Sequence, residues 1–372
     1  MKKILLKACV LLLRLVYAPF RMLKKRDKIT YISRQSDQTP LDFRILTERM
    51  RDGRPDVENV VLCRKLGGAG GHTLTYPFHM LRQFRHIATS KVVVLDGYCI
   101  AASVLPHDSE TTIVQMWHAA AAIKKFGWQI LDQPSGSSRA TAEIMRMHRN
   151  YDYVTASSDA VAESFQKGFD VGPEQIRKIG MPHFSRLMQP EREKIAALKE
   201  AFPALKGRML ILYIPTFRKN GTVKLRELID AVPADRYALA VRLHPLDRTE
   251  HVGEGVIYDR RFSTYDWMKA SDLIITDYSS LAVEASLLGK PLYFYEYDLA
   301  AYSEDPGLNV DMRREALARY VFTDPGELPG LLEEEYDFRA LEAFRDKYVE
   351  VDPAGSADAF AAFLTEMIGG KQ

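Results

Sequence analysis

Residues 273–285 read L-I-I-T-D-Y-S-S-L-A-V-E-A. Three apolar residues and a threonine run into Asp277. Two serines follow, and then Leu281, Ala282, Val283, Ala285, Leu287 and Leu288 recur at helical spacing. A short strand, a polar turn and a helix start within a dozen residues open a βαβ unit, and P-L-Y-F-Y at 291–295 supplies the next strand. Strands that are apolar without alternation must be covered on both faces, which is the habit of parallel sheets.

The same punctuation repeats in both directions along the chain. In the first half, 29–33, 57–63, 91–95, 112–116 and 152–156 read as strands; in the second, 209–214, 237–243, 255–258, 272–276 and 291–295 do. Helical stretches of roughly ten to fifteen residues separate them, which predicts an α/β protein. The 372 residues suffice for two domains. A charged stretch broken by Pro203 and Gly207 marks the boundary. The expected division is a basic helix at 1–28, a first domain at 29–188, a linker at 189–208, a second domain at 209–345 and a helical return at 346–372. The expected architecture is two doubly wound Rossmann-type domains facing across a cleft, with an N-terminal amphipathic helix. In such sheets ligands bind beyond the carboxyl ends of the strands.

Composition narrows the function. Hydrophobic residues at 47% and charged residues at 27% describe a globular chain. Cys9, Cys63 and Cys99 are odd in number and lack C-x-x-C spacing, which excludes a disulfide framework and a structural zinc site. Residues 1–28 hold nine lysines and arginines against Asp27 alone, a local charge of +8 in a chain of net +2, so the rest carries −6. A basic end on a mildly acidic body points to a local electrostatic contact and away from nucleic acid. Lys7 and Arg14 interrupt the apolar run, so it is no membrane span and a poor signal peptide. Lys3, Lys7, Arg14 and Arg21 share a stripe, which reads as a helix lying on an anionic membrane surface. Packing of this helix on the protein's own body is the competing reading.

Four strand ends carry the candidate chemistry: Q-M-W-H at 115–118, L-Y-I-P-T-F-R at 212–218, V-R-L-H-P at 241–245, and the opening stretch. Histidine is the side chain best tuned to take a hydroxyl proton near neutral pH, and His118 and His244 lie in opposite halves, each near cations. Ser279 and Ser280 stand where a helix starts and free N–H groups receive phosphate, or they simply cap the helix while Asp277 closes a turn. Glu284 lies where it accepts hydrogen bonds from a polyol or ribose. Arg218 and Arg242 offer charge to a pyrophosphate, unless strand alternation turns Arg242 away. His72 and His79 flank a glycine-rich loop, as acceptor contacts or as loop packing. Lys124 and Lys125 read as a phosphate-facing or solvated helix start. No D-x-D, P-loop, clean G-x-G-x-x-G or G-x-S-x-G occurs, so a metal held by paired aspartates and an α/β-hydrolase site are not supported.

W-H-A-A-A-A-I-K-K-F-G, Y-I-P-T-F-R, R-L-H-P and I-T-D-Y-S-S-L-A-V-E, in this order over about residues 30–302, resemble the CDP-glycerol glycerophosphotransferase family. Its polymerases usually carry W-H-G-T-P-x-K. Ala119 and Ala120 here, with I-S-R-Q-S at 32–36 and H-M-L-R-Q at 79–83, look more like the teichoic acid glycerol-phosphate primase branch. The resemblance implies a GT-B-like fold, no cofactor and no metal. It implies a CMP-releasing transfer of glycerol phosphate from CDP-glycerol to a lipid-linked disaccharide at the cytoplasmic face of the membrane, beside other wall-polymer enzymes. It implies His118 as general base, His244 on the transferring phosphate, and Arg218, Asp277, Ser279, Ser280 and Glu284 toward the donor. Trp117, His72 and Lys124 are then expected toward the acceptor, with Ala119–Ala122 leaving it room or only packing tightly. A CDP-ribitol or polymerase-type transferase of the same fold, and a non-catalytic membrane scaffold, are the competing functions.

Overall fold

The computed structural model describes residues 1–65, 75–218, 224–243 and 255–369, which hold two six-stranded sheets of parallel strands. The chain divides into two units. One comprises Met1–Ala120, Lys125–Arg186 and Glu350–Gln372; the other comprises Ala121–Lys124 and Leu187–Val349.

The first unit carries β1 (Arg26–Ser33), β2 (Glu58–Cys63), β3 (Ser90–Leu95), β4 (Thr112–Gln115), β5 (Tyr153–Ala156) and β6 (Ile176–Lys178), in the order β2-β1-β3-β4-β5-β6. The second carries β7 (Met209–Tyr213), β8 (Tyr237–Val241), β9 (Val256–Tyr258), β10 (Leu273–Thr276), β11 (Leu292–Tyr295) and β12 (Val321–Phe322), in the order β12-β11-β10-β7-β8-β9. Valines 92–94 are fully buried, as are Ile211 and Ile275, because helices cover both sheet faces. In each sheet the direction of strand addition reverses once, between β1 and β3 and between β7 and β10. At such a reversal the loops leave in opposite directions and open a crevice at the carboxyl edge. The second crevice falls at Arg218 and Asp277, singled out in the sequence, and the first falls at Asp96, one strand away from His118.

Ten of these strands are the expected ones, with ends shifted by up to three residues. β6 and β12 were not expected: at three and two residues they are too short to show a period. The stretch 189–208 is not a free linker. It forms a helix, Arg192–Ala201, that buries Leu198, and Glu191 pairs with Lys269 at 2.8 Å inside the second unit. The C-terminal stretch also divides. The helix Phe338–Tyr348 stays with the second unit, while Ser356–Gly369 joins the first, burying Phe360 and Leu364 and accepting the Lys91 ammonium at the Ile368 carbonyl.

The N-terminal helix, Lys2–Tyr17, corrects the expected orientation of its stripe. Val10 and Tyr17 are buried, with Tyr17 edge-on to Phe84 at 5.5 Å, and the Arg14 Nε donates to the Val104 carbonyl at 2.9 Å. Residues three, four and seven apart share a helix face, so Lys3, Lys7 and Arg14 border the side packed on the body. The face left outward is apolar: Ile4, Leu5, Leu11, Leu12 and Leu15 are each more than half exposed. Two other cations counted in the basic segment turn inward. Lys25 pairs with Asp108 at 3.3 Å, and Lys28, 2% exposed, reaches the Thr89 hydroxyl; burial lowers its pKa to about 8. No helix among the described residues is long and apolar enough to cross a membrane.

Candidate active site

In the first unit the chemistry sits just past β4. Gln115 ends the strand and its side chain folds back, accepting from the Trp117 N–H at 2.9 Å and donating to the Gly97 carbonyl at 3.1 Å. This holds Trp117 at φ +67°, a left-handed backbone that a bulky residue adopts only under constraint, at a cost of about 1–3 kcal/mol. The constraint is aromatic packing, with the indole 5.0 Å from Phe126, 5.1 Å from Phe169 and 6.2 Å from His148. Trp117, expected toward the acceptor, thus anchors a sharp turn in an aromatic cluster.

The turn delivers His118 to the surface. Its Nδ1 lies 2.8 Å from the Asp96 carbonyl oxygen, and a carbonyl only accepts, so Nδ1 carries the proton. In the neutral ring the basic lone pair is therefore on Nε2. A backbone carbonyl that fixes tautomer and ring orientation is what a general base needs. Asp96 follows β3 at the strand reversal. Its carboxyl is 3% exposed, and burial raises its pKa to about 6 against hydrogen bonds from Ser33 and the Arg34 backbone. Beyond His118 the chain is irregular, not the start of a helix. Ala120, Ala121 and Ala122 are buried, so tight packing accounts for their small size.

In the second unit Asp277 follows β10 and is completely buried. Its carboxylate accepts from the Thr216 N–H at 2.9 and 3.0 Å, the Thr216 hydroxyl at 2.6 Å and the Arg218 Nη1 at 2.7 Å. Arg218 also donates from Nε and Nη2 to the two oxygens of Asp298, at 2.7 and 3.0 Å. One guanidinium thus ties together the ends of β7, β10 and β11. Tyr302, Tyr297 and Tyr278 surround it, with ring centroids 4.7, 5.1 and 5.5 Å from its carbon. Asp277 and Arg218, expected to touch a donor, are committed to one another and to protein groups. They build the floor of the crevice.

Ser279 and Ser280 follow at half-buried positions. The Ser279 hydroxyl accepts from the Leu281 N–H at 3.3 Å, whereas Ser280, the N-cap residue of the helix Leu281–Ser286, makes no side-chain cap. Glu284 is buried on that helix. Lys124, expected toward the acceptor, is grouped with this unit: its ammonium stands 5.9 Å from the Tyr302 ring, within electrostatic reach of Asp277 and Arg218. Burial lowers its pKa while Asp277 opposes the shift. Arg242 answers electrostatically to Asp259 and Asp266 instead. His79 is buried on the helix Tyr76–Thr89 against Gln83. His72 and His244 lie outside the described residues.

Sequence reasoning missed Asp96, Thr216, Asp298 and Tyr302. Asp96 ends K-V-V-V-L-D as Asp277 ends L-I-I-T-D, and Asp298 follows P-L-Y-F-Y by two residues, so an aspartate just past an apolar strand was the available signal.

Residues 15–365 match the family model described as CDP-Glycerol:Poly(glycerophosphate) glycerophosphotransferase. The teichoic acid ribitol-phosphate primase of Bacillus spizizenii is 30% identical over 92% of both chains. The teichoic acid glycerol-phosphate primase of Bacillus subtilis is 27% identical over 78% of both. Among solved structures, the wall teichoic acid polymerase TagF superposes with a TM-score of 0.73 at 18% identity, covering 99% of this chain and 97% of that one. That likeness establishes the GT-B-like fold.

Proposed function

We propose that this chain, which belongs to the CDP-glycerol:poly(glycerophosphate) glycerophosphotransferase family, is a primase of wall teichoic acid synthesis. It transfers glycerol phosphate from CDP-glycerol to N-acetylmannosaminyl-N-acetylglucosaminyl diphosphoundecaprenol and releases CMP. The observation that carries the reading is His118, turned outward by a constrained backbone with its Nδ1 proton given to Asp96. His118 Nε2 takes the proton of the acceptor hydroxyl as its oxygen attacks the phosphorus bearing glycerol. The bond from that phosphorus to the CMP oxygen breaks in line. Little covalent work falls to the protein, so catalysis is positioning and charge neutralisation. The donor's phosphates and polyol are assigned to Ser279, Ser280 and Glu284 above the floor of Asp277, Arg218 and Asp298, with His244 on the transferring phosphate. Trp117 holds the turn that presents the base.

The outward apolar face of the N-terminal helix supports a peripheral position on the membrane. Its leucines enter the acyl boundary, while Lys3, Lys7 and Arg21 meet anionic headgroups beside the lipid-linked acceptor. The cytoplasmic leaflet, with other wall-polymer enzymes as neighbours, is the corresponding site of action.

A second reading, ribitol phosphate as the transferred group, is favoured by the ribitol-phosphate primase, similar along nearly the whole chain. The test incubates the purified protein with a short-chain lipid disaccharide, or with the same lipid already carrying glycerol phosphate, and with CDP-glycerol or CDP-ribitol. CMP release and product mass are followed. One glycerol-phosphate increment on the unprimed lipid, reduced about 10²–10⁴-fold in rate by His118→Ala, is the expected result. A single ribitol-phosphate increment on the primed lipid establishes the second reading, and a ladder of increments makes the protein a polymerase.

A further inference from the structure

The floor of the second unit's crevice has an electrostatic shortage. Arg218 is the only cation bonded to the buried Asp277 and the half-buried Asp298 among the described residues, and both aspartates use it, so the trio carries a net negative charge. A pyrophosphate bound above it brings more negative charge into a partly desolvated place. That is unfavourable without a further cation, because charge removed from water must be paired. Arg313 is held by Asp311 at 3.0 Å. Lys224, 5.8 Å from the Tyr297 ring, is exposed. Lys124 is half-buried and forms no ion pair among the described residues.

Its position is built. Ile123 is 2% exposed, and its carbonyl accepts from the Asn309 and Val310 N–H groups at 2.8 and 3.2 Å. The Asn309 Nδ2 donates to the carbonyls of Ala122 and Lys124 at 3.1 and 3.2 Å, and Lys124 bridges Leu308 as an isolated antiparallel pair. Contacts from 308–310 thus hold residues 121–124 on this unit, and they set the Lys124 stem beside Tyr302, which stacks on Tyr278 at 4.2 Å. Tyr302 in turn faces Arg218 at 4.7 Å.

We propose that Lys124, resting on the assignment of the donor to this unit, is the cation that pairs with the pyrophosphate of the CDP-polyol and with the phosphate of the departing CMP. Its substrate is the donor and not the acceptor. Arg218 shapes the crevice, and Lys124 supplies the charge that Arg218 has already committed to two aspartates.

The experiment measures binding of CDP-glycerol, CDP-ribitol and cytidine to the full chain by calorimetry, cytidine by competition, for the wild type, Lys124→Met and Lys124→Arg. Lys124→Met is expected to weaken the preferred CDP-polyol about 10- to 100-fold while leaving cytidine unchanged, with Lys124→Arg recovering most of the loss. Thermal melts of the variants accompany the titrations. Equal losses for cytidine and CDP-polyol would reduce Lys124 to a structural residue. Unchanged donor binding with a raised KM for the lipid acceptor would return it to the acceptor. If the wild type binds no CDP-polyol, the proposed function itself falls, a result distinct from a wild type that binds and a Lys124→Met variant that binds equally well.

Discussion

Asp277 satisfies three donors at once, the Thr216 N–H, the Thr216 hydroxyl and the Arg218 Nη1, and Arg218 divides its guanidinium between two carboxylates. Removing one partner from such a buried set strands the rest. Asp277→Ala should cost about 3–5 kcal/mol of stability, whereas Thr216→Val, which deletes one hydroxyl, should cost about 1–2 kcal/mol; urea unfolding distinguishes them. Glu296 is a second test at this scale. It is 1% exposed, its Oε2 has no hydrogen-bond partner among the described residues, and burial raises its pKa from 4.5 to about 7 despite Arg313 nearby. The folded protein therefore holds this proton more tightly than the unfolded chain does. Below pH 4.5 the group affects nothing. Between about 4.5 and 7 stability falls as pH rises, and above 7 the loss is complete. Glu296→Gln should match the wild type at pH 4 and exceed it by up to about 3 kcal/mol at pH 8. A gain that is flat with pH would refute the titration. Asp277 and His118 were legible as single residues because each ends an apolar run. Their partners were not: a hydrogen bond from Thr216 to Asp277 spans 61 residues of chain, and no local pattern records it.

Elements were legible to the extent that they are long or apolar. The continuous V/I/L strands declared themselves, while β6 and β12 hold their places by pairing with a neighbour and carry no period of their own. The N-terminal helix shows a different limit. Spacing tells which residues share a face but not which face meets the body, and here the body took the side of Val10, Arg14 and Tyr17. Glycine spacing was equally mute about the contact that seats the turn after His118. Gly127 has φ +59°, and a Cβ there would lie 2.1 Å from the Gly168 carbonyl oxygen. Gly127→Ala should destabilise by about 2 kcal/mol or more, through backbone strain and collision with a backbone atom that has no rotamer to escape by. A shift of the urea midpoint at constant slope would register it.

At the scale of the molecule, the reversal in the second sheet falls at Arg218 and Asp277, which the sequence marks, while the reversal in the first falls at Asp96, which it does not, with the marked His118 one strand further on. The proposed attachment to lipid belongs to this scale too. Replacing Leu11 and Leu15 by glutamate alters exposed positions only, so the thermal midpoint should hold while co-sedimentation with anionic vesicles drops about tenfold or more. Undiminished sedimentation would mean that the outward leucines face something other than lipid. The chain passes between its two units four times, after residues 120, 124, 186 and 349. Neither half is thus a contiguous gene fragment. A hybrid that grafts residues 187–349 of one relative onto another inherits the crevice floor without the 121–124 strip that Asn309 secures, so full affinity for the CDP-polyol should be kept only when both segments are exchanged together. Two stretches distant in one reading frame would thus have to be inherited together for the donor to be held.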